Sequence, residues 1–348
     1  MVAAPDPSGR APGTQVICGD LGGTSARLWL AGVRAGTVAV QLERVYPVAE
    51  CAGPDDLFER FAQACREHGR ALGRAAGVRR ACIGVAGPVD AARARLTNSG
   101  WVLDARRIAE RWAIDQVLLV NDFEAAANGI AALEASQLYC LQAGTPHPQA
   151  PRLVIGAGTG LGVAYVIGPP GAPQVIPGEA GHAGFAPADA LQAELWQYLH
   201  RRHGRVHAEL VVSGAGLVRL WEFLVATGRA SSQPRSNAEI RSGGAAAVAR
   251  LALEEQDPGC RAAVDLFARA FGAVAGDHAL AVLARGGVYL AGGMAPKLLP
   301  ALAEGGFIAA FRDKPPFNAL AEQFPVHLVR DERLGLLGAA LLATRTPA

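Results

Sequence analysis

The sequence predicts an α/β protein of about two domains. Three observations support this fold class. Short apolar runs, typical of strands buried on both faces, alternate with helical patterns. A glycine-rich turn between two such strands occurs near the start of the chain and again in its second half. The length of 348 residues also suits two domains of ordinary size.

The first half of the chain opens with a predicted meander of three strands. Apolar runs and intervening turns place these strands at 16–19, 26–31 and 37–46. An amphipathic helix is predicted next, at 55–72, because its apolar residues fall on one face. The remaining predicted elements of this half are a strand at 81–85, a helix at 104–112 capped by Asp104, a strand at 117–120 and a helix at 123–133.

The second half again starts with two strands joined by a glycine-rich turn. It follows a proline-rich segment, 143–151, that is predicted to be a loop near a domain junction. The predicted elements are strands at 153–156 and 162–167, a long helix at 260–284, strands at 287–290 and 326–329, and a closing helix at 334–342. Because both halves begin with the same strand–turn–strand device, we expect a weak internal duplication.

Composition excludes several classes of protein. Hydrophobic residues make up 51% of the chain, so a large core can be buried, and the net charge of +2 with interspersed signs gives no basic surface for nucleic acid. No apolar run approaches the ~20 residues of a membrane helix. Residues 1–14 are rich in Ala, Pro and Gly and are predicted to be a disordered tail, and they lack the apolar segment of a signal peptide. The 6 scattered cysteines suggest buried free thiols, and we expect a cytoplasmic protein.

The most informative segment is the apolar strand that ends in Asn121 and Asp122. Ligands of open α/β sheets gather at the carboxyl ends of such strands, which places Asp122 where a carboxylate can take part in chemistry. The alternative is that Asp122 N-caps the following helix. The segment alone does not separate these interpretations. Two glycine-rich strand ends and a Glu/His cluster in the same chain favour the chemical role.

The first glycine-rich turn follows a buried strand and contains Gly19, Asp20, Gly22, Gly23 and Thr24. Glycines let backbone N–H groups approach phosphate oxygens, and a small hydroxyl adds a further hydrogen bond. Asp20 at the strand end is a candidate ligand for Mg²⁺, through water, because Mg²⁺ keeps several waters and takes one or two carboxylates. A plain hairpin turn is an equally good interpretation of this motif alone.

Two further glycine segments follow strands. The turn of Gly158, Thr159 and Gly160 lacks the spacing of a dinucleotide-binding motif, and no P-loop sequence occurs in the chain. Close backbone approach to a ligand is favoured there, because so many glycines in a hairpin cost conformational entropy. Gly292 and Gly293 join a strand to a helix, and can either let a nucleobase lie against the backbone or form an ordinary β–α turn.

A third kind of motif is the pair Glu179 and His182, which stand three apart among small residues. Three interpretations are open: a metal site, a structural histidine, and recognition of vicinal sugar hydroxyls by a carboxylate and an imidazole. No other histidine or cysteine stands at a zinc-like spacing. Glu209 adds a carboxylate beside an apolar run, although a solvated residue is the simpler interpretation of Glu209 alone.

Taken together and in order, these motifs resemble the bacterial glucokinase family over about residues 15–343. The segments that carry the resemblance are 16–30, 118–130, 153–166, 176–187, 208–217 and 288–296. The resemblance implies an actin-like ATPase (ribonuclease H-like) fold of two α/β domains with an inter-domain cleft. It further implies a small domain of 15–132 plus 330–348 and a large domain of 133–329.

The resemblance also implies ATP-dependent phosphorylation of the glucose 6-hydroxyl, with Asp122 as the general base and Asp20 near Mg²⁺. The positions that match the family's sugar-binding residues are Asn98, Asn121, Asp122, Glu179, His182 and Glu209. The positions that match its nucleotide-binding segments are Gly19, Asp20, Gly22, Gly23, Thr24, Gly158, Thr159, Gly160, Gly292 and Gly293. Glucose and ATP are therefore the expected substrates, and a homodimer is compatible with the resemblance.

The chain departs from the family pattern in two places. Ser25 stands where members commonly have Asn, and Ala183 and Gly184 make the segment after His182 smaller than usual. The cysteine-rich zinc motif of the ROK sugar kinases is absent from the sequence, which favours the non-ROK glucokinases. A kinase for another hexose and a catalytically weak sugar sensor are the alternatives. The presence of Asp20, Asp122 and both glycine-rich turns favours an active enzyme.

Overall fold

The computed structural model of the protein describes residues 13–90, 92–97, 99–169, 173–231 and 233–345. Its strands are β1 (Thr14–Leu21), β2 (Ser25–Arg34), β3 (Thr37–Pro47), β4 (Val78–Val85), β5 (Val89–Asp90), β6 (Arg93–Arg95), β7 (Val102–Asp104), β8 (Gln116–Asn121), β9 (Leu138–Gln142), β10 (Arg152–Ala157), β11 (Leu161–Ile167), β12 (Gln174–Gly178), β13 (Gly287–Ala291) and β14 (Val326–Val329).

The helices of the described residues follow the same numbering along the chain. They are α1 (Pro54–Glu67), α2 (Ala105–Trp112), α3 (Asp122–Gly129), α4 (Ala190–His203), α5 (Ala208–Val211), α6 (Gly214–Ala226), α7 (Pro234–Leu253), α8 (Pro258–Val282), α9 (Met294–Lys297), α10 (Leu299–Ala303), α11 (Gly306–Arg312), α12 (Asn318–Ala321) and α13 (Leu334–Thr344). No helix within these described ranges is long and apolar enough to cross a membrane.

The chain forms two compact units. The first holds the described residues up to Glu134 together with those from Arg333 onward, and the second spans Ala135–Glu332. The chain therefore leaves the first unit once and returns to it with α13.

The first unit is built on a sheet with the strand order β3-β2-β1-β4-β8. Strands β1, β2 and β3 are antiparallel neighbours, whereas β4 and β8 run parallel to β1. Alternate residues of β1 enter two cores, as the two-residue period of a strand requires. Ile17 packs with the aromatic residues of α1 and α2, where the Phe58 and Trp112 ring centroids are 5.0 Å apart. Cys18 packs with α13 on the other face.

Helices α3 and α13 of this unit pack closely because glycines stand at their contact. A β-carbon at Gly338 would lie 2.7 Å from the carbonyl carbon of Ala125, and one at Gly129 would lie 3.0 Å from Leu334 Cδ1. Real β-carbons rarely approach backbone so closely, so these positions depend on glycine. The close contact fixes α3, and therefore the carboxyl end of β8 from which α3 starts.

The second unit repeats the sheet of the first. Its strand order is β12-β11-β10-β13-β14-β9. Strands β10, β11 and β12 are antiparallel neighbours, and β13 and β14 run parallel to β10. These five strands have the order and directions of β1, β2, β3, β4 and β8, so the expected internal duplication is confirmed. Strand β9 is an antiparallel addition at the edge.

The core of the second unit is organised around α8, most of whose side chains are buried. Phe271 on α8 meets Phe307 on α11 edge-on, with ring centroids 5.4 Å apart. A β-carbon at Gly272 would lie 2.9 Å from the carbonyl carbon of Phe307, so glycine allows the two helices to touch. The long apolar stripe predicted over 260–284 is therefore a buried helix that supports the sheet.

Several predicted boundaries were wrong by a few residues. The helix predicted to reach 72 ends at Glu67, and Gly69 follows with a φ of +66° that a helix cannot continue through. The helix predicted over 123–133 begins at Asp122, ends at Gly129 and continues as a 3₁₀ turn. The tail predicted to end at residue 14 is shorter, because β1 begins at Thr14; residues 1–12 lie outside the described residues.

The predictions for the cysteines and for the loop agree with the structure. All six cysteines are free thiols, and all are buried except the exposed Cys140. Burial raises the pKa of the Cys65 thiol to about 11, which keeps it protonated and unreactive. The proline-rich segment at 143–151 contains no helix or strand.

Candidate active site

Asp20, Asn121 and Asp122 lie at one edge of the sheet in the first unit. Strands β1, β4 and β8 are parallel neighbours, and the register pairs Asp20 with Gly84 and Gly84 with Val120. The carboxyl ends of these strands therefore meet at one edge, where open α/β sheets bind ligands. A β-carbon at Gly84 would lie 3.2 Å from the Ala125 β-carbon and 3.6 Å from both the Gly19 carbonyl oxygen and the Asp122 Cα, so Gly84 lies against the ends of both neighbouring strands.

Asn121, not Asp122, is the N-cap of α3. Its Oδ1 accepts hydrogen bonds from the backbone N–H groups of Phe123 at 2.9 Å and Glu124 at 3.3 Å. Burial raises the pKa of Glu124, and a hydrogen bond from the Asn121 backbone N–H opposes this shift. The two residues thus form a reciprocal capping box. The alternative in which Asp122 caps the helix is wrong, because Asp122 is already the first helical residue.

The cap determines which groups face away from the helix. Because Oδ1 of Asn121 accepts backbone N–H groups, its Nδ2 is left to act as a donor. Asp122 Oδ1 accepts from the N–H of Phe123 at 2.9 Å. The first turn of a helix also stabilises negative charge, since its N–H groups point at that end. The strand end therefore presents the amide donor of Asn121 beside the carboxylate of Asp122, which is stabilised by a backbone N–H.

Asp20 occupies a confined position at the end of β1. Burial raises the pKa of its carboxyl group, and the nearby Arg27 opposes this shift. A β-carbon at Gly335, at the start of α13, would lie 3.5 Å from Asp20 Oδ2. A partly desolvated carboxylate gains from a cation, and Mg²⁺ prefers oxygen ligands, so Asp20 fits the role of a Mg²⁺ residue. The adjoining turn is closed by a 3.0 Å bond from Gly22 N–H to the Ser25 carbonyl.

The glycine-rich turn of the second unit has an accessible backbone. Gly158 N–H donates to the Gly160 carbonyl at 2.8 Å, and Gly214 N–H at the start of α6 donates to the Gly158 carbonyl at 2.9 Å. A β-carbon at Gly158 would have no neighbour within 4 Å, and Thr159 is exposed. The turn is thus held in shape by its own backbone and by α6, while its outer side stays open to a ligand.

The late glycine pair lies beside this turn. Strands β10 and β13 pair in parallel with Gly156 opposite Ala291. Gly292 has a φ of +82°, and a β-carbon there would lie 2.7 Å from the Ala157 carbonyl oxygen. Both strand ends therefore depend on glycine for their close approach. The structure brings together two of the three segments that the sequence predicted to contact a nucleotide.

Glu179, His182 and Glu209 gather around the start of β11, just after the same turn. The 3₁₀ turn Ala180–His182 is pressed onto β11, where a β-carbon at Gly181 would lie 3.0 Å from the Leu161 carbonyl carbon. Glu209 comes from the short helix α5, and its Oε2 accepts the Leu161 N–H at 2.8 Å. Leu161 thus packs closely against the turn that carries His182, and its N–H binds Glu209. Glu179 is exposed at the start of the turn.

His207 is a neighbour that the sequence prediction missed. Its ring centroid is 4.8 Å from that of His182, and within the described residues its buried Nδ1 has no hydrogen-bond partner. Burial lowers the pKa of His207 and His182 lowers it further, whereas Glu209 and a hydrogen bond to the Gly181 backbone oppose the shift. A search for zinc-like spacing could not find this pair because it joins two distant segments. The one local signal was the position of His207 two residues before Glu209.

The backbone fixes the two segments to each other. Ala208 N–H donates to the Ala183 carbonyl at 2.9 Å, and Phe185 N–H donates to the Val206 carbonyl at 3.1 Å. Gly184 and His207 form an isolated antiparallel bridge between these bonds. The small residues after His182 therefore form the pairing edge for the segment that carries His207 and Glu209. The remaining predicted sugar-binding residue, Asn98, lies outside the described residues.

A pair of sheets with one repeated strand order, each with glycine-dependent strand ends, defines a protein of the actin-like ATPase fold. Solved structures share this fold. A glucokinase from an Antarctic psychrotroph is 27% identical, with a TM-score of 0.80 over 96% of this chain and 99% of that chain. A ROK family glucokinase from Streptomyces griseus, solved with glucose and AMPPNP, has a TM-score of 0.63 at 21% identity, over 94% of this chain and 99% of that one.

The family follows from the sequence comparisons. A family model described as Glucokinase matches residues 17–346, and this chain belongs to the glucokinase family. A glucokinase of Nostoc sp. (strain PCC 7120) is 36% identical over 350 residues, covering 95% of this chain and 99% of the relative. A glucokinase of Nostoc punctiforme is 39% identical over 280 residues, covering 76% of this chain and 82% of the relative.

Proposed function

We propose that this protein is an ATP-dependent glucokinase that phosphorylates the 6-hydroxyl of glucose. The observation that carries the proposal is the placement of Asp122 at the same sheet edge as Asp20 in a member of the glucokinase family. Phosphoryl transfer needs in-line positioning, neutralisation of phosphate charge and one group that orients the attacking hydroxyl. Asp20 would hold the Mg²⁺ that neutralises phosphate charge, and Asp122 would orient the attacking hydroxyl.

Asp122 is the proposed general base. Its carboxylate takes the proton of the sugar hydroxyl as the oxygen attacks the γ-phosphorus of ATP and the bond from that phosphorus to the bridging oxygen of ADP breaks. The capping box fixes the start of α3, so the carboxylate is held at the strand end instead of on a mobile loop. General-base catalysis of this kind contributes about 10²–10⁴ in rate.

The proposed sugar-binding groups have complementary hydrogen-bonding roles. Asn121 offers an amide donor because its oxygen is committed to the helix. The carboxylates of Glu179 and Glu209 accept from sugar hydroxyls, and the ring of His182 can donate or accept. Asn98 is carried by the family resemblance alone and stays a prediction.

The glycine segments are the proposed nucleotide-binding elements. The backbone of Gly22, Gly23 and Thr24 and that of Gly158, Thr159 and Gly160 would contact phosphate oxygens, and Gly292 with Gly293 would lie against the nucleobase. The backbone at Gly158 and at Gly293 is open, with no atom within 4 Å of a built β-carbon. Asp20 would hold Mg²⁺, which when bound neutralises charge on the phosphates.

The two compact units are proposed to serve as the small domain, predicted as 15–132 plus 330–348, and the large domain, predicted as 133–329. The fixed packing of α3 on α13 within the first unit supports the assignment of the carboxyl-terminal helix to the small domain. A homodimer and a cytoplasmic location stay predictions.

The test is a coupled assay of ADP formation with purified protein, ATP and Mg²⁺ across glucose, mannose, glucosamine, fructose and galactose. Glucose is expected to give the highest kcat/KM, with no turnover when Mg²⁺ is removed by chelation. A higher kcat/KM for another hexose would replace glucose as the substrate. Sugar binding by calorimetry without turnover for any sugar would replace the kinase by a sensor. Polyphosphate in place of ATP checks the donor.

A further inference from the structure

His182, His207 and Glu209 form a cluster of metal-ligating side chains in the second unit. One ligand atom from each residue lies within 4.8 Å of the ligand atoms of the other two. Two imidazoles and a carboxylate are a donor set of catalytic zinc sites, in which a water or substrate takes the fourth position. His182 and Glu209 are proposed sugar-binding residues, but nothing in the proposed phosphoryl transfer uses His207, so the kinase chemistry gives no reason for the third member of the cluster.

We propose that His182, His207 and Glu209 form a binding site for a single Zn²⁺ ion, and that the bound ion prevents sugar from reaching His182 and Glu209. The metal site stands on its own geometry. The exclusion of sugar rests on the proposed function, because His182 and Glu209 are the proposed partners of sugar hydroxyls.

The distances allow the ion to bind with a small adjustment. Zinc ligands at about 2.0–2.1 Å in a tetrahedron stand roughly 3.4 Å from one another, and the three atoms lie within 4.8 Å of one another, so each pair has to draw in by at most about 1.4 Å. His182 is exposed and can rotate, whereas His207 and Glu209 are partly buried. The adjustment therefore falls on the most mobile ligand of the three.

The surroundings of the cluster leave His207 Nδ1 without a partner among the described residues and orient the Glu209 carboxylate. The Nδ1 of His207 is buried, and the described residues offer it no hydrogen-bond partner, so a ligand there would satisfy an atom that is otherwise costly to bury. Glu209 is oriented by the Leu161 N–H at 2.8 Å, and a carboxylate retains further acceptor positions after one such bond. Outer partners of this kind orient ligands in metal sites.

The backbone holds the ligands on two segments that are tied together. The bonds from Ala208 to Ala183 and from Phe185 to Val206 flank the bridge between Gly184 and His207. The segment that follows His182 therefore cannot separate from the segment that carries the other two ligands. A site preorganised in this way loses little freedom when the ion binds.

The experiment measures metal binding directly and without sugar. Metal-free full-length protein is titrated with Zn²⁺ by calorimetry and, separately, with Co²⁺, whose visible absorption reports tetrahedral coordination. We expect one equivalent of metal and a tetrahedral Co²⁺ spectrum. His207→Ser should weaken binding by at least about tenfold, the range in which loss of even an outer partner falls. His203→Ser, at an exposed histidine of α4, is the matched control and should bind as wild type does.

The variants also separate the metal site from the proposed function. His207 is not among the proposed sugar-binding residues, so His207→Ser should keep its activity with glucose and lose inhibition by Zn²⁺. Glucose should raise the apparent dissociation constant of Zn²⁺ in the wild type. Equal Zn²⁺ affinity in wild type and His207→Ser would overturn the site. An equal loss of Zn²⁺ binding in His207→Ser and His203→Ser would also overturn it. Zn²⁺ bound through His207 but indifferent to glucose would overturn the exclusion of sugar.

Discussion

Asn121 performs two tasks that a pair of substitutions can separate. Its Oδ1 caps α3 through the N–H groups of Phe123 and Glu124, and its Nδ2 is the proposed donor to the sugar. Asn121→Asp keeps an oxygen for the cap but removes the donor, because a carboxylate only accepts hydrogen bonds. Asn121→Ala removes both. The two variants should therefore share a defect in sugar binding and differ in stability.

The magnitudes follow from these bonds. Loss of an N-cap costs about 1 kcal/mol, which lowers Tm by about 2–4 °C in a unit of roughly 150 residues. Asn121→Ala should show this fall, whereas Asn121→Asp should stay near the wild-type Tm. An unpaired hydrogen-bonding group in a sugar site costs about 1–3 kcal/mol, so both variants should raise the glucose KM by about tenfold or more.

Thermal melting without ligands and steady-state kinetics with varied glucose give the two readouts. Asp104 is the matched control, because it N-caps α2 of the same unit through the N–H groups of Arg106 and Arg107. Asp104→Ala should lower Tm by a similar amount and leave the glucose KM unchanged. A wild-type glucose KM in Asn121→Asp would refute the donor role of Nδ2, and an unchanged Tm in Asn121→Ala would refute the cap.

Two glycine substitutions test the packing that positions the site. Gly181→Ala should displace the turn that carries Glu179 and His182 and raise the glucose KM, because the added β-carbon meets the Leu161 backbone. Gly184→Ala should leave the glucose KM unchanged, because its added β-carbon lies in open space. Equal effects of the two substitutions on KM would contradict this explanation. Gly338→Ala should destabilise the protein by about 1–3 kcal/mol through overpacking against α3. Gly335→Ala in the same helix meets Asp20 Oδ2 only at 3.5 Å and should melt near wild type, so a similar fall in Tm for both would point to the helix itself instead of its packing.

The sequence was sufficient for the fold wherever the signal was local. Buried strands such as β8 and β10 are near-continuous apolar runs, and the glycine-rich turns follow from residues within one hairpin. Helix ends were less predictable because they depend on capping. The end of α1 is set by a single glycine conformation, and the start of α3 by a capping box that uses Asn instead of the usual Ser or Thr.

The candidate site was predicted one segment at a time, and its tertiary contacts were not. The motifs indicated Glu179, His182 and Glu209 as separate carboxylate and imidazole groups. The bond of Glu209 to Leu161 and the approach of His207 to His182 join segments that are distant in the sequence. Periodicity and spacing carry no information on such contacts, so the cluster of three ligands was missed.

Asp122→Asn tests the central claim, the general-base role of Asp122, most directly. The amide keeps the shape of the side chain but cannot take up the proton of the sugar hydroxyl. Asp115→Asn, a substitution just before β8 at an exposed ion pair with Arg79, is the matched control. Single-turnover rates and glucose binding by calorimetry are measured for both variants.

We expect the Asp122→Asn rate to fall by about 10²–10⁴ with glucose affinity nearly retained, while Asp115→Asn keeps both values. A wild-type rate in Asp122→Asn would remove Asp122 from the mechanism.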